Sequence, residues 1–276
     1  AMVATVAKGG AAINVLARQT GASVTVVDVG VAGELDPAPG LLDRKVRGGT
    51  GDLSVEPAMS QEEATVALDV GSEVAAQLAA GGARCLVTGE LGIANTTASA
   101  ALVAAFTGRG ANTVTGRGSG INDETLARKV GAVQRGLHRT DGAGHPLEVL
   151  ASVGGLEIAA LAGFIVGGAA LRLPVVVDGL IAGAALLVAS ALVPDALGYC
   201  VAGHRSAEPG AAATLDHLGL EPVLDLGLHL GEGTGACLAL PVLEAAARIV
   251  GEMATLDEAG VDGGSAGQSA GPDIAR

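Results

Sequence analysis

Short apolar runs alternate with longer stretches of helical pattern along this chain. Runs rich in β-branched residues predict buried strands. These runs occupy residues 24–29, 84–88, 174–178, 197–202 and 223–226. Helical patterns fill the intervals, most clearly at residues 60–80 and 180–192. Because strand and helix alternate four or five times, the sequence predicts an α/β fold, with a mostly parallel, Rossmann-like sheet and helices on both faces.

Local signals predict where several elements begin or end. Ser60 and Glu63 have the spacing of a capping box, which predicts a helix from there to about residue 80. Two helices are expected to meet at Gly154 and Gly155. Residues 30–58 combine Gly, Pro and charged residues, which predicts a long loop.

The patterns at the two ends of the chain each predict a helix. One helix is expected at residues 1–19 and the other at residues 236–254. We expect these helices to form a small helical subdomain beside an α/β catalytic domain of residues 20–235. Residues 255–276 are acidic and rich in Gly and Ser, which predicts a flexible tail.

The composition is unusual for a chain of 276 residues. It contains 44 glycines, whereas Phe106, Phe164 and Tyr199 are its only aromatic residues. An apolar core without aromatic side chains predicts thin helices that pack closely. The net charge of −13 argues against nucleic acid or an anionic membrane as a partner, since both favour a basic surface.

Neither a membrane span nor a disulfide framework is expected. The longest uncharged apolar run lies between Asp178 and Asp195 and is shorter than the ~18–20 residues that cross a bilayer. No signal peptide is recognisable at the start. The three cysteines, Cys85, Cys200 and Cys237, form no close pair. We therefore expect a cytoplasmic protein.

Glycine is concentrated in four loops that precede helices. These loops, at residues 89–97, 116–123, 203–210 and 227–236, hold 11 of the 44 glycines. Glycine allows backbone N–H groups to approach an anion, and a helix N-terminus adds a favourable dipole. The composition favours phosphate binding without a Walker A or GxGxxG motif. In any one loop the glycines are equally explained as tight turns.

Two carboxylates, Glu90 and Glu232, lie inside these loops. A buried glutamate with a raised pKa can take a proton from a weakly basic nitrogen. Alternatively, a glutamate before a helix simply stabilises the helix dipole, which is the commoner role of an isolated residue such as Glu232. No motif typical of a metal site or of a hydrolytic nucleophile is present, so we expect no metal and no cofactor.

Six ordered blocks resemble one known family. They are GELGIANTTASAAL, GRGSGINDETLARK, PLEVLASVGGLEIAALAG, PVVVDGLIAGAALL, AGHRSAEPG and LDLGLHLGEGTGA. The chain resembles the nicotinate-nucleotide–dimethylbenzimidazole phosphoribosyltransferases, from about residue 9 to about residue 261. The resemblance implies transfer of ribose 5-phosphate from nicotinate mononucleotide to 5,6-dimethylbenzimidazole, giving α-ribazole 5′-phosphate and nicotinate.

The resemblance also implies roles for individual residues. Glu232 matches the family's general base, and Glu90 matches a second carboxylate of the same site. Asp178 and Gly179 match positions near nicotinate and ribose. Gly231 and His229 lie in the block that carries Glu232, and the family commonly has Arg at the position of His229. Phosphate-binding positions match Gly92, Asn95, Thr96, Thr97, Gly118, Lys129 and Ser206.

Other expectations follow from the same resemblance. The family is usually homodimeric and needs no cofactor, and its chain extends further at the N-terminus, so we expect a segment to be lacking here. Phosphoribosyltransferases that use pyrophosphorylated ribose carry two adjacent acids after a strand, whereas the block PVVVDG carries one. Two alternatives stay open: a nucleotide-binding relative with impaired catalysis, and a related enzyme that uses another base acceptor.

Overall fold

A computed structural model describes residues 2–118, 120–256 and 258–260. Within these residues the backbone forms five strands and eleven α-helices. The strands are β1 Val26–Asp28, β2 Leu41–Asp43, β3 Leu86–Val87, β4 Val175–Val177 and β5 Cys200–Ala202. The helices are α1 Met2–Ala7, α2 Ala12–Thr20, α3 Gln61–Ala80, α4 Asn95–Thr107, α5 Ala111–Val114, α6 Asp123–Leu137, α7 Pro146–Val153, α8 Leu156–Ala170, α9 Leu180–Leu192, α10 Pro209–Leu218 and α11 Thr234–Glu252.

The strands pair in parallel and form two small sheets. One sheet contains β1 and β2, and the other has the order β3-β4-β5. In the larger sheet Leu86 pairs with Val175, and Val175 pairs with Cys200. The carboxyl ends of β3, β4 and β5 therefore lie side by side, so the loops that follow them converge. The predicted α/β class with parallel strands is confirmed.

Helices made of small apolar residues form the core. Helices α8 and α9 are almost wholly apolar, and most of their side chains are buried. Helix α3 packs against α8 with so little space that a Cβ on Gly163 would overlap the Leu68 carbonyl group. This close approach explains part of the glycine content, because only a residue without a side chain allows two helix backbones to come so near.

Several predicted elements agree closely with the structure. The capping box is present, since Ser60 Oγ accepts from the Glu63 backbone N–H at 3.1 Å and Glu63 Oε2 accepts from the Ser60 N–H at 2.9 Å. The helix predicted at residues 180–192 matches α9 residue for residue. The junction at Gly154 and Gly155 separates α7 from α8 as expected.

Other predicted elements were wrong in extent or missing. The single helix expected over residues 1–19 is two helices, because Gly9 at φ +80° ends α1. The loop expected over residues 30–58 contains β2, and the short helix α5 was not predicted. The strand expected at residues 223–226 is reduced to one isolated bridge between Leu224 and His204. The strand expected at residues 197–202 begins only at Cys200.

The chain divides into two compact units, one ending at Leu240 and one beginning at Pro241. Within the first unit, Val6, Ile13, Ala17 and Cys237 form a small apolar cluster separate from the main core. The second unit contains the later part of α11. The proposed division into an α/β domain and a helical subdomain stays a prediction, and most of the expected tail lies outside the described residues.

One helix of the described chain meets the length and apolarity of a membrane span. This helix is α11, Thr234–Glu252. A single helix of this kind is weak evidence, because core helices of soluble proteins have the same length and composition. Exposed apolar side chains near its end include Ile249, Val250 and Met253.

Candidate active site

The loop before α11 holds Glu232 in an uncommon backbone conformation. Its φ is +63°, and the flanking residues Gly231 and Gly233 also have positive φ. The Glu232 Oε2 atom accepts a hydrogen bond of 3.2 Å from the Ile13 backbone N–H in the first turn of α2. The first N–H groups of a helix lack partners within the helix, so the carboxylate satisfies one of them. The loop and α2 together fix where this carboxylate points.

Glu90 follows β3 and lies beside the same loop. Asn95, the first residue of α4, donates a hydrogen bond of 2.6 Å from Nδ2 to Glu90 Oε2. A Cβ on Gly92 would overlap the Asn95 amide, so only glycine leaves room for it. The other Glu90 oxygen lies 3.3 Å from the place that a Cβ would take on Gly231. Glu90 therefore lies between the start of α4 and the Glu232 loop.

Glu157 is a third carboxylate of this site, and the sequence analysis missed it. It lies in the first turn of α8, and its charge contributes to the raised pKa of Glu90. Burial raises the pKa of Glu157, although its own backbone N–H and the Asn95 amide oppose the shift. A sequence signal existed, because Glu157 is the only charged residue in α8.

The environment of Glu90 favours its protonated form. Burial is the main cause and raises its pKa from 4.5 to about 7. The hydrogen bond from Asn95 opposes this shift. The negative charges of the nearby carboxylates reinforce it, and these are Glu157, Asp178 and Glu232. Glu90 therefore changes charge close to neutral pH.

Asp178 and His204 form a buried pair at the ends of β4 and β5. His204 Nε2 lies 3.3 Å from Asp178 Oδ1, and both side chains are buried. The same oxygen accepts a hydrogen bond of 2.9 Å from the Ala236 backbone N–H. The Asp178 N–H donates to Thr88 Oγ1 at 3.0 Å. These contacts hold the Asp178 carboxylate at the carboxyl edge of the larger sheet.

Ser206 lies next to this pair. A Cβ on Gly179, which precedes α9, would lie 3.5 Å from Ser206 Oγ and 3.4 Å from His204 Nε2. Ser206 is buried, and its Oγ accepts a hydrogen bond of 3.4 Å from the Glu208 backbone N–H. The structure thus brings together Asp178, Gly179 and Ser206.

A second polar cluster surrounds Lys129, which is buried on α6. Its Nζ donates to Thr96 Oγ1 at 2.8 Å and to the Gly116 carbonyl oxygen at 2.9 Å. Gly118, whose φ is +56°, donates its N–H to Glu208 Oε1 at 2.9 Å. Burial lowers the pKa of Lys129, whereas the charge of Glu208 opposes this. We call these five residues the Lys129 cluster.

The carboxylates and the Lys129 cluster meet at the start of α4. Asn95 bonds to the Glu90 carboxylate, and Thr96, the next residue, bonds to Lys129. Thr97 belongs to the same first turn and donates its N–H to the Ala94 carbonyl oxygen at 3.0 Å. His229 is exposed, with its Nδ1 atom 3.2 Å from the Gly227 carbonyl oxygen, so it is engaged within its own loop.

A separate groove lies away from these residues. It has a volume of about 490 Å³ and runs between residues 47–63 and α7, where it is lined by Arg47, Glu63 and Glu148 among others. None of the predicted site residues lines it. The candidate site therefore stays assigned to the converging loops and not to this groove. Among the described residues, no three His, Cys, Asp or Glu side chains are placed to share a metal ion.

Comparison with known proteins relates the whole chain to one family. A family model described as phosphoribosyltransferase matches residues 1–261. The nicotinate-nucleotide–dimethylbenzimidazole phosphoribosyltransferase of Chloroflexus aurantiacus is 56% identical, over 94% of this chain and 74% of that relative. The enzyme of the same name from Salinispora tropica is 51% identical, over 94% of this chain and 76% of that relative. The crystal structure of CobT from Thermus thermophilus superposes with a TM-score of 0.92 at 50% identity, and the match covers 95% of this chain and 79% of that one.

The fold and these matches define a phosphoribosyltransferase. Within that class, the chain belongs to the family of nicotinate-nucleotide–dimethylbenzimidazole phosphoribosyltransferases.

Proposed function

We propose that this chain transfers ribose 5-phosphate from nicotinate mononucleotide to 5,6-dimethylbenzimidazole. The observation that supports this most directly is the adjacency of Asn95 and Thr96 at the start of α4. One bonds to the carboxylate Glu90 and the other to Lys129. A ribose phosphate has the same two-ended character, with an anionic phosphate at one end and a reacting carbon at the other.

The phosphate end is assigned to the Lys129 cluster. The Lys129 ammonium group supplies charge, and Thr96 and Gly118 lie beside it. Ser206 and the first turn of α4 add further donors, and a helix N-terminus favours an anion. The charge of −13 makes this local cation important, because most of the surface repels a phosphate.

The reacting end is assigned to the carboxylates. In the proposed step, one benzimidazole nitrogen attacks the anomeric carbon while the bond from that carbon to the nicotinate nitrogen breaks. The bonding electron pair leaves with the nicotinate nitrogen, which becomes neutral. The second benzimidazole nitrogen loses its proton, and we assign that proton to the carboxylate of Glu232. Attack from the face opposite the leaving group inverts the configuration from β to α.

The surrounding negative charge suits this substrate. The ring of nicotinate mononucleotide carries a positive charge on its nitrogen, and positive charge develops on the ribose as that ring departs. Glu90 lies beside the loop of Glu232, and the charges of Asp178 and Glu232 contribute to its raised pKa. Carboxylates placed where positive charge develops lower the energy of the transition state.

The decisive experiment is incubation of the purified chain with nicotinate mononucleotide and dimethylbenzimidazole. We expect release of nicotinate together with α-ribazole 5′-phosphate in equal amounts, detected by chromatography and mass spectrometry. Release of nicotinate with a different acceptor preferred in a base competition would instead indicate a relative with another specificity. Binding of the mononucleotide, seen as a thermal shift, without any release would indicate a catalytically impaired relative.

The proposal includes the setting in which the reaction takes place. We expect a homodimer in the cytoplasm that needs no metal or other cofactor. Sedimentation equilibrium of the purified chain tests the oligomeric state, and turnover in the presence of a chelator tests the need for a metal.

A further inference from the structure

Glu208 is the member of the Lys129 cluster to which the proposed reaction gives no role. It immediately precedes α10, whose first residue is Pro209. A carboxylate at this position ordinarily accepts a hydrogen bond from the first turn of its own helix. Within the residues that the structure describes, the Glu208 side chain makes no such bond and accepts instead from the Gly118 N–H at 2.9 Å, 90 positions earlier in the chain. The carboxylate is therefore directed away from α10 and toward residues 116–118.

The Glu208 carboxylate fits closely against the backbone of residues 116–118. A Cβ on Gly116 would overlap it, so only glycine leaves room for Glu208 at this place. The Gly116 carbonyl oxygen in turn accepts from Lys129 Nζ at 2.9 Å. Gly118 lies near the same ammonium group, since a Cβ there would lie 3.9 Å from Lys129 Nζ. Glu208 and Lys129 thus both contact the backbone of residues 116–118.

Glu208 also contacts Ser206, another position assigned to the phosphate, because its backbone N–H donates to Ser206 Oγ at 3.4 Å. A carboxylate repels a phosphate, so its presence here is unfavourable in itself. Its Oε2 atom is buried and, within the described part of the chain, has no hydrogen-bond partner, which costs free energy. The bond to Gly118 and the attraction to Lys129 are the contacts that offset both costs.

We propose that Glu208 is a positioning residue, which through its hydrogen bond to Gly118 fixes residues 116–118 beside Lys129 and so shapes the phosphate end of the site. This inference rests on the proposed function. Because the Gly118 N–H is committed to Glu208, Gly118 allows close approach through the absence of a side chain and is not itself a donor to the phosphate. The donors are then Lys129 and the hydroxyl groups beside it.

Two conservative substitutions separate the hydrogen bond from the charge. Glu208→Gln removes the charge and keeps an acceptor oxygen at the same reach. Glu208→Asp keeps the charge and withdraws the acceptor by one methylene group. Calorimetry without dimethylbenzimidazole measures the binding of nicotinate mononucleotide in the absence of turnover. We expect Glu208→Gln to keep its dissociation constant within about threefold of wild type, and Glu208→Asp to raise it about five- to tenfold. A role of the charge alone predicts the reverse order.

Nicotinate riboside, which lacks the phosphate, shows whether the effect is confined to the phosphate end. Its binding, followed as a thermal shift, should be the same in Glu208→Asp as in wild type. Glu148→Asp is the matched control, because Glu148 Oε2 accepts from the Gly144 N–H at 2.9 Å in the first turn of α7. It withdraws the same kind of acceptor away from the Lys129 cluster, and we expect the affinity for both ligands to stay unchanged.

A larger loss of affinity in Glu208→Gln than in Glu208→Asp would overturn the proposal. An equal loss for riboside and mononucleotide in Glu208→Asp would overturn it as well, because it would show a general effect on the fold. If Glu208→Asp does not fold, Glu208→Ala takes its place, since it also removes the acceptor. Binding in the expected order without release of nicotinate once dimethylbenzimidazole is added would contradict the proposed reaction alone. Turnover by wild type, with both variants binding as wild type does, would contradict the role of Glu208 alone.

Discussion

The Glu232 carboxylate accepts a hydrogen bond of 3.2 Å from the backbone N–H of Ile13, a residue 219 positions earlier in the chain. A carboxylate assigned as the base of the reaction is thus oriented by the first turn of α2. Because the donor is a backbone group, its position depends on the helix start rather than on the identity of a side chain.

Substitution of the base should abolish most turnover without abolishing substrate binding. Glu232→Gln keeps the size and the acceptor oxygen but cannot take a proton, so we expect kcat to fall at least about 100-fold. The affinity for nicotinate mononucleotide, measured by calorimetry, should change little. Glu244→Gln on the exposed part of α11 serves as the control, and near-normal rates for Glu232→Gln would reject its role as base.

Removal of the Ile13 donor should affect the rate more than the fold. Ile13→Pro lacks the N–H that bonds to Glu232, and proline is tolerated in the first turn of a helix. We expect a loss of kcat of about tenfold, as for a misplaced catalytic group. Ala12→Pro is the matched control, because it leaves the Ile13 N–H in place, and Ile13→Ala controls for the lost side chain. Equal effects of Ile13→Pro and Ile13→Ala would mean that packing, not the hydrogen bond, matters.

The role of Lys129 can be tested with a substrate that lacks the phosphate. Lys129→Met should raise KM for nicotinate mononucleotide by about 10- to 100-fold, the loss expected for a charge-assisted hydrogen bond. It should leave the much weaker use of nicotinate riboside unchanged. Lys8→Met near the end of α1 is the control. A proportional loss with both substrates would show that Lys129 supports the fold and not the phosphate.

Glu90 should make the stability of the protein depend on pH. The pKa of Glu90 is about 7 in the folded chain, against 4.5 as its ordinary value. Between these values the folded state keeps a proton that the unfolded state has released, so stability falls as pH rises from 4.5 to 7. Glu90→Gln cannot ionise and should therefore gain stability relative to wild type by up to about 3 kcal/mol between pH 5 and pH 8. Thermal melts across this range measure the gain, and a difference that is constant with pH would contradict the prediction.

The pair of Asp178 and His204 should contribute to stability through its burial. His204→Leu leaves the buried Asp178 carboxylate with the Ala236 N–H as its remaining donor, and we expect a loss of about 2–4 kcal/mol. His204→Gln can donate from a similar position and should recover at least half of that loss. Chemical denaturation of the three proteins gives the comparison, and equal stability of the Leu and Gln variants would mean that the pair contributes little.

The sequence predicted correctly those elements whose signal lies within the element itself. The capping box of Ser60 and Glu63 and the continuous apolar run of α9 are local, so both were placed correctly. The strands were predicted too long, because each apolar run extends beyond the residues that pair with a neighbouring strand. Only two residues, Leu86 and Val87, pair within the run predicted at residues 84–88.

The site was predicted less completely, because its contacts join distant parts of the chain. The local composition indicated the glycine-rich loops and the carboxylates within them. The resemblance to the family indicated which individual residues belong to the site. The bond from Lys129 to Thr96 spans 33 positions, and no spacing rule relates the two. Glu157 was overlooked because it lies in an otherwise apolar helix. Asn95 matches a phosphate-binding position of the family, and the structure adds that its amide bonds to Glu90.

The hydrogen bond from Ile13 to Glu232 also has a consequence for synthesis. Helix α2 is made early, but the loop that receives its N–H emerges only after more than 200 further residues have been translated. The residues of α4, Lys129 and the larger sheet therefore all precede the base in the order of synthesis. The Glu232 carboxylate can reach the Ile13 N–H only after the loop before α11 has been made.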